Sequence, residues 1–402
     1  MKILQINTLY KSGSTGKIAA QIQEVCHLKG YDCRVAYRYE EKNTGCSDTY
    51  SVSSWLDCHI HNRLSQMTML QGCFSYFHTK NFLKKVKAFS PDIIHLHNIH
   101  GSFINHSLLF KFIKKHNIPV VWTLHDCWSF TGKCAYFDMT QCKKWKNGCH
   151  SCCQLHQESQ CIIDSSKLMY NNKKKWFTGI DNLTLVTPSK WLANLAEQSF
   201  LSSYPVKVIN NGIDLDVFKP CTGDFRTKFN CEGKYILLGV AFGWGKRKGL
   251  DVFVELSKRL DENYRIVLVC TNDEIDKQLP ENVISIHRTQ NQLELAQIYS
   301  AADLFVNPTR EENYPTVNME SIACGTPVLT FNTGGSAEIL DKTCGCAVDC
   351  NDIDAMEKEI IRICKEKPFS REMCLERAKN FDMNDRFNDY IALYEEICDD
   401  KK

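Results

Sequence analysis

Short apolar runs alternate with segments of helical periodicity along the whole chain. "KILQIN", "CRVAYR", "DIIHLH", "PVVWTL", "LTLVTP" and "VKVIN" come first, followed by "YILLGVA", "RIVLVC", "VISIH", "DLFVNP" and "PVLTF". Runs this short and this continuously apolar read as strands buried on both faces, with amphipathic helices between them, which is the pattern of parallel α/β sheets. Two Rossmann-like, doubly wound domains are expected. The turn-rich "NNGIDLDVFKP", Asn210 to Pro220, separates them. The predicted division is residues 1–212, residues 213–375, and a helical tail over 376–402 that returns toward the first domain. In that tail Phe381, Phe387, Tyr390, Leu393 and Tyr394 recur at helical spacing. Ligands of such sheets gather at the carboxyl ends of the strands, so the residues that follow each run are the candidates for chemistry.

Composition narrows the class. The 402 residues, 43% hydrophobic and 24% charged, suffice for two ordinary cores. No apolar run is long enough to span a bilayer, and "MKILQIN" passes into a polar Gly/Ser stretch where a signal peptide would have its apolar core. A cytoplasmic protein is expected, working at the inner face of the membrane, with its 22 cysteines held as reduced thiols. The net charge of +2 hides an asymmetry: residues 1–212 hold 25 Lys/Arg against 13 Asp/Glu, and residues 213–402 hold 24 against 34. The basic half suits an anionic acceptor or peripheral contact with an anionic membrane, and "KNFLKKVKAF" sets Lys80, Lys84 and Lys87 on one helical face. A merely solvated helix face fits the same pattern. Nothing resembles a nucleic-acid-binding motif.

The second half carries the sharper signals. In "REENYPTVNMESIACGTPVLTF", Pro315 fits the first helical position and Gly325 the left-handed stop. Unpaired amides near Thr316 and Val317, with the helix dipole, would make an anion site suited to a diphosphate. Glu312 stands before that end and Glu320 about a turn inside it, one on the side of an attached sugar and one on the side of a ribose. Upstream, "YILLGVAFGWGKRKGLDVFVEL" is a strand, a Gly-rich turn and a helix, with Lys246, Arg247 and Lys248 clustered where cations could neutralise a departing diphosphate without a divalent metal.

In the first half, "QINTLYKSGSTGKIAAQI" is a strand, a Gly/Ser loop and a helix, and it lacks the spacing of a phosphate-binding P-loop. "VVWTLHDCW" puts His125 and Asp126 at a strand end. His95 and His97 share one face of "DIIHLH"; a metal pair lacks a third ligand, and His97 with Asn98 better suits the lining of an acceptor site. An insertion near 127–161 concentrates cysteines, and Cys134, Cys142, Cys149 and Cys152 could hold a structural zinc ion, although only one C-x2-C pair is present.

With these residues in hand, the chain resembles a retaining glycosyltransferase of family 4, of type-B (GT-B) fold with two facing Rossmann-like domains. The Glu312 to Glu320 spacing matches the family's E-x7-E motif. "ACGTPVLTFNTGGSAEIL", "VINNGIDLDVF" and "KGLD" match further signatures in order. The resemblance implies transfer of a sugar, with retained configuration and metal-independent chemistry, from a UDP- or GDP-linked donor to a glycan or lipid-linked acceptor. By the same resemblance Glu312, Lys248 and His125 act on the donor sugar and its leaving group. Gly16, Arg247, Thr316, Val317 and Glu320 bind the rest of the donor, and His97 and Asn98 lie on the acceptor side. Two departures stand out: Gly243 occupies the position of the family's usual arginine, and "ENYP" replaces a Glu-Gly-Phe-Gly form. The cysteine-rich insertion is similar to that of members serving colanic-acid, capsular or other exopolysaccharide assembly. An epimerase or phosphorylase of the same fold, or a non-catalytic assembly subunit, remains open from sequence.

Overall fold

The computed structural model describes residues 1–39, 48–157 and 160–399. Cys46, residues 158–159 of the cysteine-rich insertion and residues 400–402 of the tail lie outside them. The chain divides into two compact units, residues 1–210 with 387–402, and residues 211–386. The unit limit falls inside the helix Met383–Asp399, whereas sequence periodicity suggested one tail beginning at 376. Residues 376–386 stay with the second unit because Ile213 exchanges backbone hydrogen bonds with Phe381 and Met383 there.

The first unit is built on seven strands: β1 (Lys2–Ile6), β2 (Asp32–Tyr37), β3 (Thr49–Ser51), β4 (Ile93–Leu96), β5 (Val120–Thr123), β6 (Leu183–Thr187) and β7 (Val206–Val208). They pair in the order β3-β2-β1-β4-β5-β6-β7, every pair parallel. The chain grows one way from β1 and then turns back to β4, so the sheet reverses direction between β1 and β4. The second unit repeats the plan with β8 (Tyr235–Val240), β9 (Tyr264–Val269), β10 (Val283–Ile286), β11 (Leu304–Asn307), β12 (Val328–Phe331) and β13 (Gly345–Val348). Their order is β10-β9-β8-β11-β12-β13, again all parallel, with the reversal between β8 and β11. Both are Rossmann-like sheets. The eleven runs predicted as strands all form strands. The two that were not foreseen, β3 and β13, are sheet edges whose side chains are largely half-buried or exposed. An edge strand has one neighbour and less cover, so it needs no continuous apolar run.

Residues of the helix Met383–Asp399 close the first unit's core. Phe387, Tyr390, Leu393 and Tyr394 are all at most 3% exposed. Two of them satisfy buried polar groups of the sheet. Thr123 Oγ1 donates to the Tyr390 hydroxyl at 3.1 Å and therefore accepts from His95 Nε2 at 2.8 Å, leaving His95 Nδ1 to accept from the Tyr394 hydroxyl at 2.6 Å. Burial holds His95 neutral, well below its usual pKa. The His95 and His97 rings lie 3.9 Å apart on one face, as strand alternation requires.

Another buried histidine makes the first unit acid-sensitive. The Gly72 amide, which can only donate, meets His61 Nε2 at 3.1 Å, while Ser75 Oγ takes the other ring proton at 2.8 Å and passes its own to Asp57. Only neutral His61 fits these partners, and burial lowers its pKa to about 4 despite the Asp57 charge. The unfolded chain takes up a proton near pH 6.5 while the folded one resists it, so stability is lost as pH falls from about 6.5 toward 4. His61 contributes at most about 1.4 kcal/mol per pH unit over that window. Urea unfolding at several pH values is expected to show stability falling over this window, and His61→Gln is expected to lessen the slope by up to about 1.4 kcal/mol per pH unit, the other buried histidines supplying the rest; an unchanged slope in the variant would refute the assignment.

Candidate functional site

In the second unit the loops after β8 and β11 meet at the point of reversal. After β8, Trp244 anchors the Gly-rich turn by donating to the Val269 carbonyl at 2.8 Å and packing on Phe253. Lys246–Lys248 then form one turn of 3-10 helix before the helix Leu250–Arg259. After β11 comes Thr309-Arg310-Glu311-Glu312. Arg310 was assigned no role from sequence, yet it ties the two loops together. Its side chain is 8% exposed; it donates to both Asp251 oxygens at 2.7 and 2.9 Å, to Asn351 at 2.6 Å, and to the Lys246 carbonyl. Its amide donates to the Arg247 carbonyl at 2.8 Å. Arg247 itself reaches back to the Glu311 carbonyl at 3.3 Å.

Two glycines bring backbone against this loop from either side. A Cβ on Gly249 would lie 2.4 Å from the Pro308 carbonyl oxygen, and one on Gly334 only 1.7 Å from that of Glu312, with φ of +75° and +54°. Glu312 is thereby held at the rim, and its carboxylate pairs with the Lys248 ammonium; the two side chains are 17% and 16% exposed. Gly243, at the family's arginine position, has φ +75° and nothing within 4 Å of where a Cβ would sit. Beside it Phe242 is 92% exposed.

The helix Thr316–Ala323 starts one residue later than the sequence suggested. Pro315 is the capping residue, extended at ψ 117°, and not the first helical one; its carbonyl accepts from Asn318 at 3.2 Å. The ring therefore sets the entry angle instead of opening the first turn. Among the described residues no acceptor meets the amides of Thr316 or Val317, as expected of a helix amino end. The helix stops as expected: Gly325, at φ +83°, and Thr326 return their amides to Ile322 and Ser321. Glu320 accepts from the buried Tyr299 hydroxyl at 3.2 Å. Asn318 is buried and linked to Asn307 at the end of β11 and to the Ser336 carbonyl, which registers the helix start against the Gly334 loop.

The first unit shows a matching arrangement of its own at the ends of β1, β4 and β5. Gln5 Nε2 donates to the Ala19 carbonyl at 2.9 Å, so Gln5 Oε1 accepts, from His97 Nε2 at 2.9 Å. His97 Nδ1 is then an acceptor, and His125 Nε2 donates to it at 3.2 Å. Burial keeps both rings below their ordinary pKa, against the pull of Asp126 on His125. Burial would raise the Asp126 carboxyl, but His100, 3.1 Å away, and the Trp128 amide outweigh it and hold it ionised. Asn98 is held through both backbone groups, its amide donating to Asn7 and its carbonyl accepting from Thr8. Gly16 lies in the first turn of the helix Gly13–Leu28, and its closest neighbour is the backbone of Leu9, where a Cβ would meet atoms at 3.2 Å. The close approach that requires a small residue is thus made by the chain's own loop. Gln5, unremarked in the sequence, is the residue that fixes the histidine tautomers.

Comparison with known proteins bears on both units. The family model described as Glycosyltransferase Family 4 matches residues 29–217, and that described as Glycosyl transferases group 1 matches residues 234–366. The chain thus carries a family 4 glycosyltransferase domain followed by a group 1 glycosyl transferase domain. In fold it superposes on sucrose-phosphate synthase from Thermosynechococcus elongatus with a TM-score of 0.71 over 98% of each chain at 18% identity. Anabaena Alr3699/HepE, solved in complex with UDP-glucose, gives 0.68 at 13% identity over 98% of this chain and 100% of that one. In sequence it is 24% identical over 380 residues to the "Putative colanic acid biosynthesis glycosyl transferase WcaC" of Escherichia coli K12, covering 90% of this chain and 89% of that protein. It is 27% identical over 330 residues to the "Uncharacterized 41.2 kDa protein in cps region" of Klebsiella pneumoniae, covering 78% and 81%.

The Arg310 fork gives a direct test of this construction. Arg310→Lys keeps the charge but cannot span Asp251, Asn351 and a carbonyl at once. It is expected to lower stability by about 1.5–3 kcal/mol in denaturant unfolding, while Lys246→Ala, whose side chain is exposed, stays within about 0.5 kcal/mol of the parent.

Proposed function

We propose that this glycosyltransferase moves a sugar, with retention of configuration, from a UDP- or GDP-linked donor to a glycan or lipid-linked acceptor in the building of a cell-envelope polysaccharide. The observation that carries the reading is the Lys248–Glu312 ion pair, set just ahead in sequence of a helix whose first amides, those of Thr316 and Val317, meet no acceptor among the described residues. A diphosphate set on those amides gains hydrogen bonds and the favourable end of the helix dipole. Lys248 then turns from Glu312 toward the phosphate oxygens, where it stabilises the charge that develops as the glycosidic bond breaks. Glu312, released from its ion pair, accepts from sugar hydroxyls, and Glu320, inside the helix, accepts from the ribose.

In this reading the leaving diphosphate takes the acceptor's proton on the same face, and the cations and amides neutralise it without a divalent metal. By the family resemblance His125, whose ring burial keeps neutral, acts on the donor sugar. His97 and Asn98 lie on the acceptor side. The relatives' printed roles in colanic acid biosynthesis and in a cps region support an envelope polysaccharide as the product, and the UDP and UDP-glucose complexes of Anabaena Alr3699/HepE support a nucleotide-sugar donor.

The enzyme works at the inner face of the membrane. Among the described residues no helix is long and apolar enough to cross it. What supports peripheral contact is the start of two neighbouring helices, linked through Asp57, Ser75 and His78. Trp55, Leu56, Ile60 and Phe77 are each more than half exposed there, next to the exposed Lys80 and Lys84. Apolar side chains beside lysines suit insertion among anionic headgroups.

A screen of UDP- and GDP-sugars by thermal shift, followed by turnover assays, tests the first reading. Glu312→Ala and Lys248→Ala are each expected to reduce kcat about 100- to 1,000-fold; unimpaired transfer by either variant would discard the site. For the membrane contact, sedimentation with phosphatidylglycerol vesicles is expected to fall about tenfold in a Trp55→Ser, Leu56→Ser, Ile60→Ser variant and to weaken with salt. Equal binding of parent and variant would overturn that face.

A further inference from the structure

The segment between β5 and the helix Ser166–Phe177 contains no strand and only two single turns of 3-10 helix among its described residues, Trp128–Phe130 and Lys144–Lys146. Trp128, Phe130, Phe137 and Trp145 anchor it in the first unit's core, Trp145 flanked by Phe130 and Phe137 at 5.3 and 5.2 Å between ring centroids. A stretch this long with so little regular structure has room for another tie.

The thiols lie where such a tie would be. Cys134, Cys142, Cys149, Cys152 and Cys153 line one recess of about 20 Å³, room for a single water-sized guest. Cys149 Sγ accepts from the Gly132 amide at 3.2 Å. Cys134 and Cys152 interact with each other, as do Cys142 and the exposed Cys153 at the rim.

Two lysines are buried beside the recess. Lys173 is fully buried and Lys133 8% exposed, and their ammonium groups donate to backbone carbonyls, Lys173 to Trp128 and Thr131, Lys133 to Gln154, Leu155 and Gln157. Neither meets a carboxylate at ion-pair distance among the described residues, and Asp126, the carboxylate that acts on Lys173, is engaged with His100.

We propose that Cys134, Cys142, Cys149 and Cys152 bind one structural zinc ion as a tetrathiolate. A divalent ion takes all four sulfurs as thiolates, any protons they still carry passing to solvent, and leaves a complex of net charge −2 beside the two buried lysines. The thiols stand as a wider ring than a bound ion imposes, since no three sulfurs lie within 4.8 Å of one another. Zinc draws them in, replacing the contacts between thiols with Zn–S bonds of about 2.3 Å. The site braces the segment that follows His125 and Asp126 and takes no part in sugar transfer.

Tag-free protein, purified under reducing conditions without added metal, is expected to contain about one zinc per chain by plasma mass spectrometry. Cobalt exchanged into the site is expected to give thiolate charge-transfer bands and the intense visible bands of tetrahedral coordination. Cys142→Ser and Cys149→Ser are expected to lose the metal, and Cys153→Ser to keep it. Clearly substoichiometric zinc in folded parent protein, or weak octahedral cobalt bands, overturns the site whatever the transferase assay shows. Loss of metal from Cys153→Ser overturns the ligand set.

Discussion

The buried Arg310 guanidinium fastens two loops that the sequence holds some sixty residues apart. Its fork reaches the first turn of one helix through Asp251, the loop after β13 through Asn351, and the basic turn through the Lys246 carbonyl. With the backbone contacts at Gly249 and Gly334, it leaves Lys248 and Glu312 little choice of position. A planar group with five donors can hold three partners in fixed directions, which an ammonium cannot. The backbone of the second sheet's rim is therefore in place before any ligand arrives, which leaves only the Lys248 and Glu312 side chains to turn when one binds.

The first unit reaches a comparable fixity through neutral groups. Gln5 orients His97, and His97 orients His125; each step follows from which atom can only donate or only accept. The partners come from β1, β4 and the end of β5, strands adjacent in the sheet though far apart in sequence. A network of this kind has one consistent pattern of protons, and adding a charge to any ring disrupts it.

Much of this was legible in the sequence. The strands that are buried on both faces announce themselves as apolar runs, and the reversal of strand order places the loops after β8 and β11 side by side. Glu312, Lys248 and the helix amino end could be named because their spacing is local. Arg310 could not, since an arginine next to two glutamates looks like surface charge until its partners are known. Gln5 sits inside the strand run "KILQIN", where a polar residue reads as an imperfection in the pattern instead of a determinant. The edge strands β3 and β13 escaped because an edge needs less apolar cover, and the position of Pro315 was off by one residue because cap and first turn differ only in ψ.

The contacts of Tyr390 and Tyr394 also bear on how the chain is made. β4 and β5 leave the ribosome early, yet His95 acquires its Tyr394 partner only from a residue 299 positions later. Until then the first sheet lacks the helix that covers His95 and supplies the partner of its Nδ1. The second unit has all of its own residues, 211–386, available sooner than the first has its closing helix. Order of synthesis and order of completion are therefore reversed, and the half that begins the chain is the half that must wait.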